Sequence, residues 1–73
     1  MDSLRELRAR RMHTIRSLSV AAGVAQKTIV DIEAGRLTPQ FGTMRKLAAA
    51  LGVEPTEVAE FVAAIEARGK AAA

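Results

Sequence analysis

The chain has 73 residues, a net charge of +3 and 49% hydrophobic residues, and its only aromatic residues are two phenylalanines. This length suits one small domain with a limited core. The chain has no cysteine and one histidine, which excludes disulfides and any metal site rich in thiolate or histidine ligands. No apolar run reaches the roughly 20 residues of a membrane span, and no secretion signal follows the N-terminal arginines. We therefore expect a cytoplasmic domain without cofactor, metal or small-molecule ligand.

Positive charge is concentrated in the N-terminal half of the chain. Residues 1–36 contain seven basic and four acidic side chains, whereas residues 37–73 contain four of each. A basic half beside a neutral half favours one face for a polyanion and another face for a different contact. Solvated arginines on an ordinary surface are the alternative interpretation of this count.

Five helices are predicted from N-cap residues, apolar stripes at helical spacing and terminal glycines, with no strand signal. Ser3 and Glu6 fit a capping box at the first helix, and Thr14 fits an N-cap at the second. The short connections predict an all-α bundle forming one domain over residues 1–68. The predicted helices span about 4–12, 15–22, 26–34, 41–51 and 55–68, and a frayed tail follows at 69–73.

The two short helices around Gly23 carry the most specific pattern. A steep helix crossing needs a small residue on the first helix, which Ser19 supplies. The turn needs a residue that adopts positive φ without steric cost, which Gly23 supplies. This pattern predicts a helix-turn-helix at about residues 15–34. Its inward positions are filled by apolar residues, namely Leu18, Ala22, Val24, Ile29 and Ile32.

Residues 4 to about 61 resemble the lambda-repressor-like helix-turn-helix family, the Xre/Cro type. The resemblance implies a five-helix domain that binds operator DNA, commonly as a dimer. Family members usually have Gly-Leu-Ser/Thr-Gln where this chain has Met12-His13-Thr14-Ile15, and that glutamine often binds a phosphate; Arg16 is the charged replacement nearby. The matching stretches are Leu4-Arg5-Glu6-Leu7-Arg8, Leu18-Ser19-Val20-Ala21-Ala22-Gly23-Val24, Thr28-Ile29-Val30-Asp31-Ile32-Glu33-Ala34-Gly35-Arg36 and Leu47-Ala48-Ala49-Ala50-Leu51-Gly52-Val53.

In a helix-turn-helix, the N-terminal residues of the second helix face base edges in the major groove. Gln26 suits an adenine edge and Lys27 a guanine edge. Thr28 suits a phosphate or a thymine methyl, and Asp31 suits cytosine. A solvated helix face is the alternative for all four residues. The residues predicted to contact phosphates are Thr14 and Arg16 on one strand, and Arg36 and Thr38 on the other.

Arg8 and Glu33 are charged residues that we do not assign to DNA. The family resemblance places Arg8 on the first helix, opposite Glu33 at the end of the third helix. A partly buried bidentate pair between them would join the first helix to the recognition helix. A structural ion pair is therefore predicted for these two residues.

The fifth helix carries an apolar stripe that extends beyond the pattern shared by the family. Phe61 and Ile65 are assigned to a two-fold dimer interface, with Val58 and Val62 facing inward. Packing of the whole stripe against the first helix is the alternative.

The expected function is that of a sequence-specific double-stranded DNA-binding regulator. It would repress by occupying a palindromic operator as a homodimer associated with the nucleoid. No nucleophile, base and acid set predicts catalysis, so an enzyme is not expected. Two alternatives remain open: a protein-interaction or antitoxin-like module that binds through the fifth helix, and the DNA-reading fragment of a larger regulator. Met1 and the short alanine tail favour a complete chain, which leaves no room for a ligand-sensing domain.

Overall fold

The computed structural model describes the backbone of residues 2–72 and the side chains of residues 2–69. In this part of the chain the regular structure is helical, apart from one isolated bridge between Asp2 and Val58. The predicted all-α, five-helix architecture is confirmed. None of the helices in this part is long and apolar enough to cross a membrane. The elements are α1 (Leu4–Arg10), α2 (Ile15–Ala22), α3 (Gln26–Glu33), α4 (Phe41–Leu51), a 3₁₀ turn at Pro55–Glu57, and α5 (Ala59–Ala72).

The first two helices begin at hydrogen-bonded caps. At α1, the Ser3 hydroxyl accepts from the Glu6 amide at 3.1 Å, and the Glu6 carboxylate accepts from the Ser3 amide at 3.2 Å. At α2, Thr14 Oγ1 accepts from the Ser17 amide at 3.0 Å, and Ser17 Oγ accepts from the Thr14 amide at 2.9 Å. Both predicted N-caps are confirmed, and each cap satisfies amides that the helix leaves without internal partners.

Helix α1 ends earlier than the sequence predicts, because Met12 adopts the left-handed conformation with φ 57°. The Met12 amide donates to the Ala9 carbonyl at 3.0 Å, and the His13 amide donates to the Arg8 carbonyl at 2.9 Å. These two bonds form a Schellman ending, which normally has glycine at the left-handed position. Helix α4 follows that rule with Gly52. A methionine gave no sequence signal for this ending, so the predicted boundary near residue 12 is wrong.

Replacing Met12 with glycine should stabilise the fold by about 0.5–1 kcal/mol. The Met12 side chain is 93% exposed, so its removal loses almost no packing, while the strain of a left-handed non-glycine residue is relieved. Chemical denaturation of the wild type and Met12→Gly measures the difference. Met12→Ala is the control, because alanine also removes the side chain but keeps the strained Cβ. If the two variants were equally stable, the predicted net gain from relieving this strain would be contradicted.

The start of the fifth helix also differs from the prediction. Pro55 begins a 3₁₀ turn, and α5 begins only at Ala59, whose amide donates to the Asp2 carbonyl at 2.8 Å. Glu60 does not cap its own helix; its carboxylate accepts from the Leu4 amide at the start of α1, at 2.9 Å. The helix therefore begins four residues later than predicted, at the residue that pairs with the N-terminal segment. Local sequence patterns do not show this long-range pairing.

At its other end, α5 continues to Ala72, and the predicted frayed tail at residues 69–73 stays a prediction. Alanine has the highest helix propensity, and a single Gly69 inside a helix costs only about 1 kcal/mol. The helical backbone at 69–72 is consistent with those propensities. The last residue of the predicted tail, residue 73, lies outside the described residues.

The core lies where all five helices meet and consists of aliphatic side chains around one phenylalanine. Leu18 of α2 and Ile29 and Ile32 of α3 are almost completely buried, as the helix-turn-helix pattern requires. Ile15 packs against this cluster from the first turn of α2. The buried apolar residues are Leu4, Leu7, Leu18, Val24, Ile29, Ile32, Met44, Leu47, Ala48, Leu51, Val58, Phe61 and Ala64.

Candidate nucleic-acid interface

The turn between α2 and α3 has the geometry that the sequence predicts. Gly23 adopts φ 68° and ψ 35°, and its amide donates to the Ser19 carbonyl at 2.9 Å. The sequence predicts Ser19 only as a small residue at the helix crossing. In the structure it also forms a hydrogen bond across the turn, because its hydroxyl donates to the Val24 carbonyl at 2.6 Å. This hydrogen bond fixes the approach of α3 to α2 and so the direction in which α3 is presented.

Helix α3 buries one face and exposes its N-terminal turn. Ile29 and Ile32 lie in the core, whereas Gln26 and Lys27 are exposed in the first turn. The helix starts after Ala25 without a side-chain cap. The first turn therefore presents an amide, an ammonium group and backbone N–H groups to any ligand that approaches the end of the helix.

The other two predicted base-contacting residues are less accessible. Thr28 and Asp31 are partly buried, and Asp31 Oδ1 accepts from Arg36 Nε at 3.2 Å and from Arg36 Nη2 at 3.1 Å. Both bonds go to Oδ1, so a cytosine contact through Oδ2 is compatible with this pair. The pair also holds the exposed guanidinium of Arg36 beside the C-terminal half of α3, on the side predicted to meet a phosphate.

The predicted phosphate contacts on the α2 side lie at a capped helix start. Thr14 Oγ1 accepts from within the cap, which leaves its hydroxyl proton free for donation to a phosphate. Arg16, two residues after Thr14, is exposed, while Ile15 packs against the core. The structure thus gives a reason why this chain lacks the family's glutamine. Ile15 stands at that position and packs against the core, and Arg16 is the accessible group next to it.

The predicted contacts on the other side lie in the α3–α4 loop, which comprises residues 34–40. Arg36 and Thr38 are both exposed in this loop. The loop is bonded to α5, because Arg68 donates to the carbonyls of Thr38 and Pro39. Nothing in the sequence pattern pointed to Arg68, since a lone arginine near the end of a helix is most simply read as solvated.

Arg8 and Glu33 lie opposite each other as expected and form a bidentate pair. Arg8 Nε donates to Glu33 Oε2 at 2.8 Å, and Arg8 Nη2 donates to Oε1 at 3.2 Å. The two side chains are only 15% and 11% exposed. Arg8 Nη1 also donates to the His13 carbonyl at 3.0 Å, so one guanidinium joins α1, the α1–α2 connection and the end of α3.

The assignment of Phe61 to a dimer interface is wrong. Phe61 is fully buried in the core of the protomer and has no surface for a partner. Val58, just before α5, is fully buried beside it in the same core. Ile65 remains 36% exposed, beside Phe41, which is 53% exposed at the start of α4. These two side chains line one shallow depression with Met44, Arg45 and Pro55.

The fold and the exposed end of α3 define a class, the helix-turn-helix DNA-binding proteins. A family model described as helix-turn-helix, of the lambda-repressor and Xre type, matches residues 4–58. The chain belongs to this family, whose members are DNA-binding regulators and generally not enzymes. No curated protein and no solved structure matches the chain.

Proposed function

We propose that the protein is a sequence-specific transcriptional repressor that acts by occupying an operator in double-stranded DNA. The observation that carries this proposal is the uncapped, exposed first turn of α3, directed outward by the fixed turn at Gly23. The N-terminal residues of a recognition helix meet base edges in the major groove. Occupancy of a promoter by such a domain blocks transcription in the cytoplasm without any catalytic step.

Base reading in this proposal is divided among four residues. Gln26 forms a bidentate pair with adenine, and Lys27 donates to guanine O6 and N7. Thr28 contacts a phosphate or a thymine methyl from its partly buried position. Asp31 accepts from cytosine through Oδ2, while its Oδ1 holds Arg36 near a phosphate.

The phosphate contacts flank this reading surface on both sides. Thr14 and Arg16 bind one strand at the start of α2, together with the first free amides of that helix. Arg36 and Thr38 bind the other strand from the α3–α4 loop. These contacts set the register of the domain on the duplex, whereas the α3 side chains choose the sequence.

Iterative selection from random duplexes, at two salt concentrations, tests the proposal. An enriched palindrome with half-sites about 10 base pairs apart is the expected result, because a two-fold dimer presents its recognition helices one helical turn apart. Weak binding that depends on salt but selects no sequence would leave only nonspecific electrostatic attraction, and would contradict the proposed function.

The proposed repressor is a homodimer that associates through the depression between α4 and α5. Phe41 and Ile65 expose apolar surface there, and a two-fold axis through this surface would place the same residues of both copies in contact. This interface replaces the one predicted from Phe61. It lies outside the exposed turn of α3, so a dimer leaves both recognition helices available.

Replacing Ile65 with glutamate should convert the dimer into monomers of 7.8 kDa without unfolding the domain. A carboxylate buried in an apolar interface has no partner and strongly opposes association, whereas in the monomer this position is partly exposed. Sedimentation equilibrium measures the mass. The matched control is Val20→Glu, which places the same charge at an exposed valine of α2. An unchanged mass for Ile65→Glu would exclude this interface.

The same depression supports the second candidate function, a protein-interaction module. An exposed phenylalanine and isoleucine at one site are suited to a partner protein as well as to a second copy. A monomeric wild type that selects no DNA sequence would favour this candidate. A dimer that selects a palindrome would contradict it.

A further inference from the structure

Arg68 of α5 is bonded to the α3–α4 loop through its guanidinium group. Nε donates to the Pro39 carbonyl at 3.1 Å, and Nη2 donates to the carbonyls of Pro39 at 3.0 Å and Thr38 at 3.2 Å. The guanidinium carbon lies 5.9 Å from the centre of the Phe41 ring, within the range of a cation–π contact. Arg68 therefore contacts Thr38 and Pro39 in the α3–α4 loop and Phe41, the first residue of α4.

Few other contacts hold this part of the loop. The residues before it are tied to α3 by the amides of Gly35 and Arg36, which donate to Ile32 and Asp31 carbonyls. The residues after it are tied to α4 by the amide of Met44. Among the described residues, the hydrogen bonds that reach segment 37–39 all come from Arg68, and burial of Pro39 is its other restraint.

We infer that Arg68 is a positioning residue for DNA binding, which holds segment 37–39 of the α3–α4 loop so that Thr38 reaches the phosphate backbone. The inference rests on the proposed function, and it makes α5 part of the DNA-binding unit. The family match ends at residue 58, so Arg68 lies outside the segment that defines the family. A pre-ordered loop binds more tightly, because its conformational entropy is already lost before the DNA arrives.

Arg68 acts through the loop and does not bind DNA itself. Three of its five N–H donors already point at carbonyl oxygens, and its guanidinium carbon lies over the Phe41 ring. The rigid planar guanidinium holds Nε and Nη2 in a fixed geometry that bonds two successive carbonyls at once. Lysine at this position keeps the charge but lacks the fork, so Arg68→Lys separates positioning from simple charge.

A double-mutant cycle on DNA affinity tests the inference, with duplex selected by the wild type as the probe. Arg68→Ala should weaken binding by about fivefold to tenfold, the value of one or two hydrogen bonds to phosphate. In the Thr38→Ala background, the same substitution should change affinity by less than about twofold, because the contact it positions is absent. Arg68→Lys should behave like Arg68→Ala.

The opposite pattern would overturn the inference. If Arg68 touched a phosphate directly, Arg68→Lys would retain affinity, and the effect of Arg68→Ala would be the same in both backgrounds. Wild-type affinity of a folded Arg68→Ala would overturn it as well. If the wild type selected no duplex at all, the proposed function itself would fail, which is a different result.

Two further measurements keep the result independent of folding. Circular dichroism melting sets a titration temperature at which every variant is folded. Backbone order parameters of Leu37 and Thr38, measured by ¹⁵N relaxation without DNA, should fall in Arg68→Ala and in Arg68→Lys. The control is Arg10→Ala, which removes an exposed arginine paired with Asp2 and should leave both order parameters unchanged. Unchanged order parameters in Arg68→Ala would show that Arg68 does not order the loop.

Discussion

Replacing Glu33 with alanine should lower the free energy of unfolding by about 3 kcal/mol, because Arg8 would stay buried without a charged partner. The two side chains are only 15% and 11% exposed, and the guanidinium makes two hydrogen bonds to the carboxylate, at 2.8 and 3.2 Å. In so small a domain, a loss of this size removes a large part of the total stability. Urea denaturation of the wild type and the variant measures it.

A double-mutant cycle assigns this loss to the pair. Arg8→Ala leaves Glu33 buried without a partner and also releases the His13 carbonyl, so it should cost at least as much as Glu33→Ala. The double variant should be more stable than additivity predicts, with a coupling energy of about 2 kcal/mol. Arg10→Ala is the control: its pair with Asp2 is exposed, and its loss should cost less than about 1 kcal/mol. Strict additivity at Arg8 and Glu33 would contradict the assignment.

The fold could be predicted from the sequence wherever a helix end is encoded locally. Thr14 and Gly23 bound α2 at the predicted residues, since a cap hydroxyl and a left-handed glycine act within one turn. The predictions failed where the end is set by other causes. Met12 ends α1 in a conformation that methionine does not signal, and the start of α5 depends on pairing with Asp2, far away in sequence.

Some residues of the candidate site could likewise be predicted from the sequence, and others could not. The burial of Ile29 follows from helical periodicity, which also leaves Lys27 on the exposed face of α3. The Arg8–Glu33 pair followed from the family resemblance and not from any local pattern. Arg68 could not be found from sequence, because its partners are backbone carbonyls, which every residue has. Phe61 was misassigned because helical spacing groups it with Ile65 in one apolar stripe and does not show which part of that stripe the core covers.

Replacing Lys27 with alanine should relax the preference for one base pair in each half-site while leaving the rest of the selected sequence unchanged. A good contact to a guanine edge contributes about 1–3 kcal/mol of discrimination. Lys27 lies in the exposed, uncapped first turn of α3, where side chains meet base edges. Competition titrations with duplexes substituted one position at a time measure this effect. A uniform loss over all duplexes would instead show that Lys27 binds a phosphate.

Arg36→Ala provides the contrasting case, because Arg36 lies beyond the end of α3 and is held there by Asp31. Arg36→Ala should weaken binding to every duplex alike. It should also reduce the slope of log affinity against log salt concentration by about one, because the loss of one phosphate contact releases about one ion fewer. Both variants lose one positive charge, so a general electrostatic effect would make them equivalent. A change in sequence preference for Lys27→Ala alone, with a reduced salt slope for Arg36→Ala, requires instead that α3 reads the bases and the α3–α4 loop positions the domain.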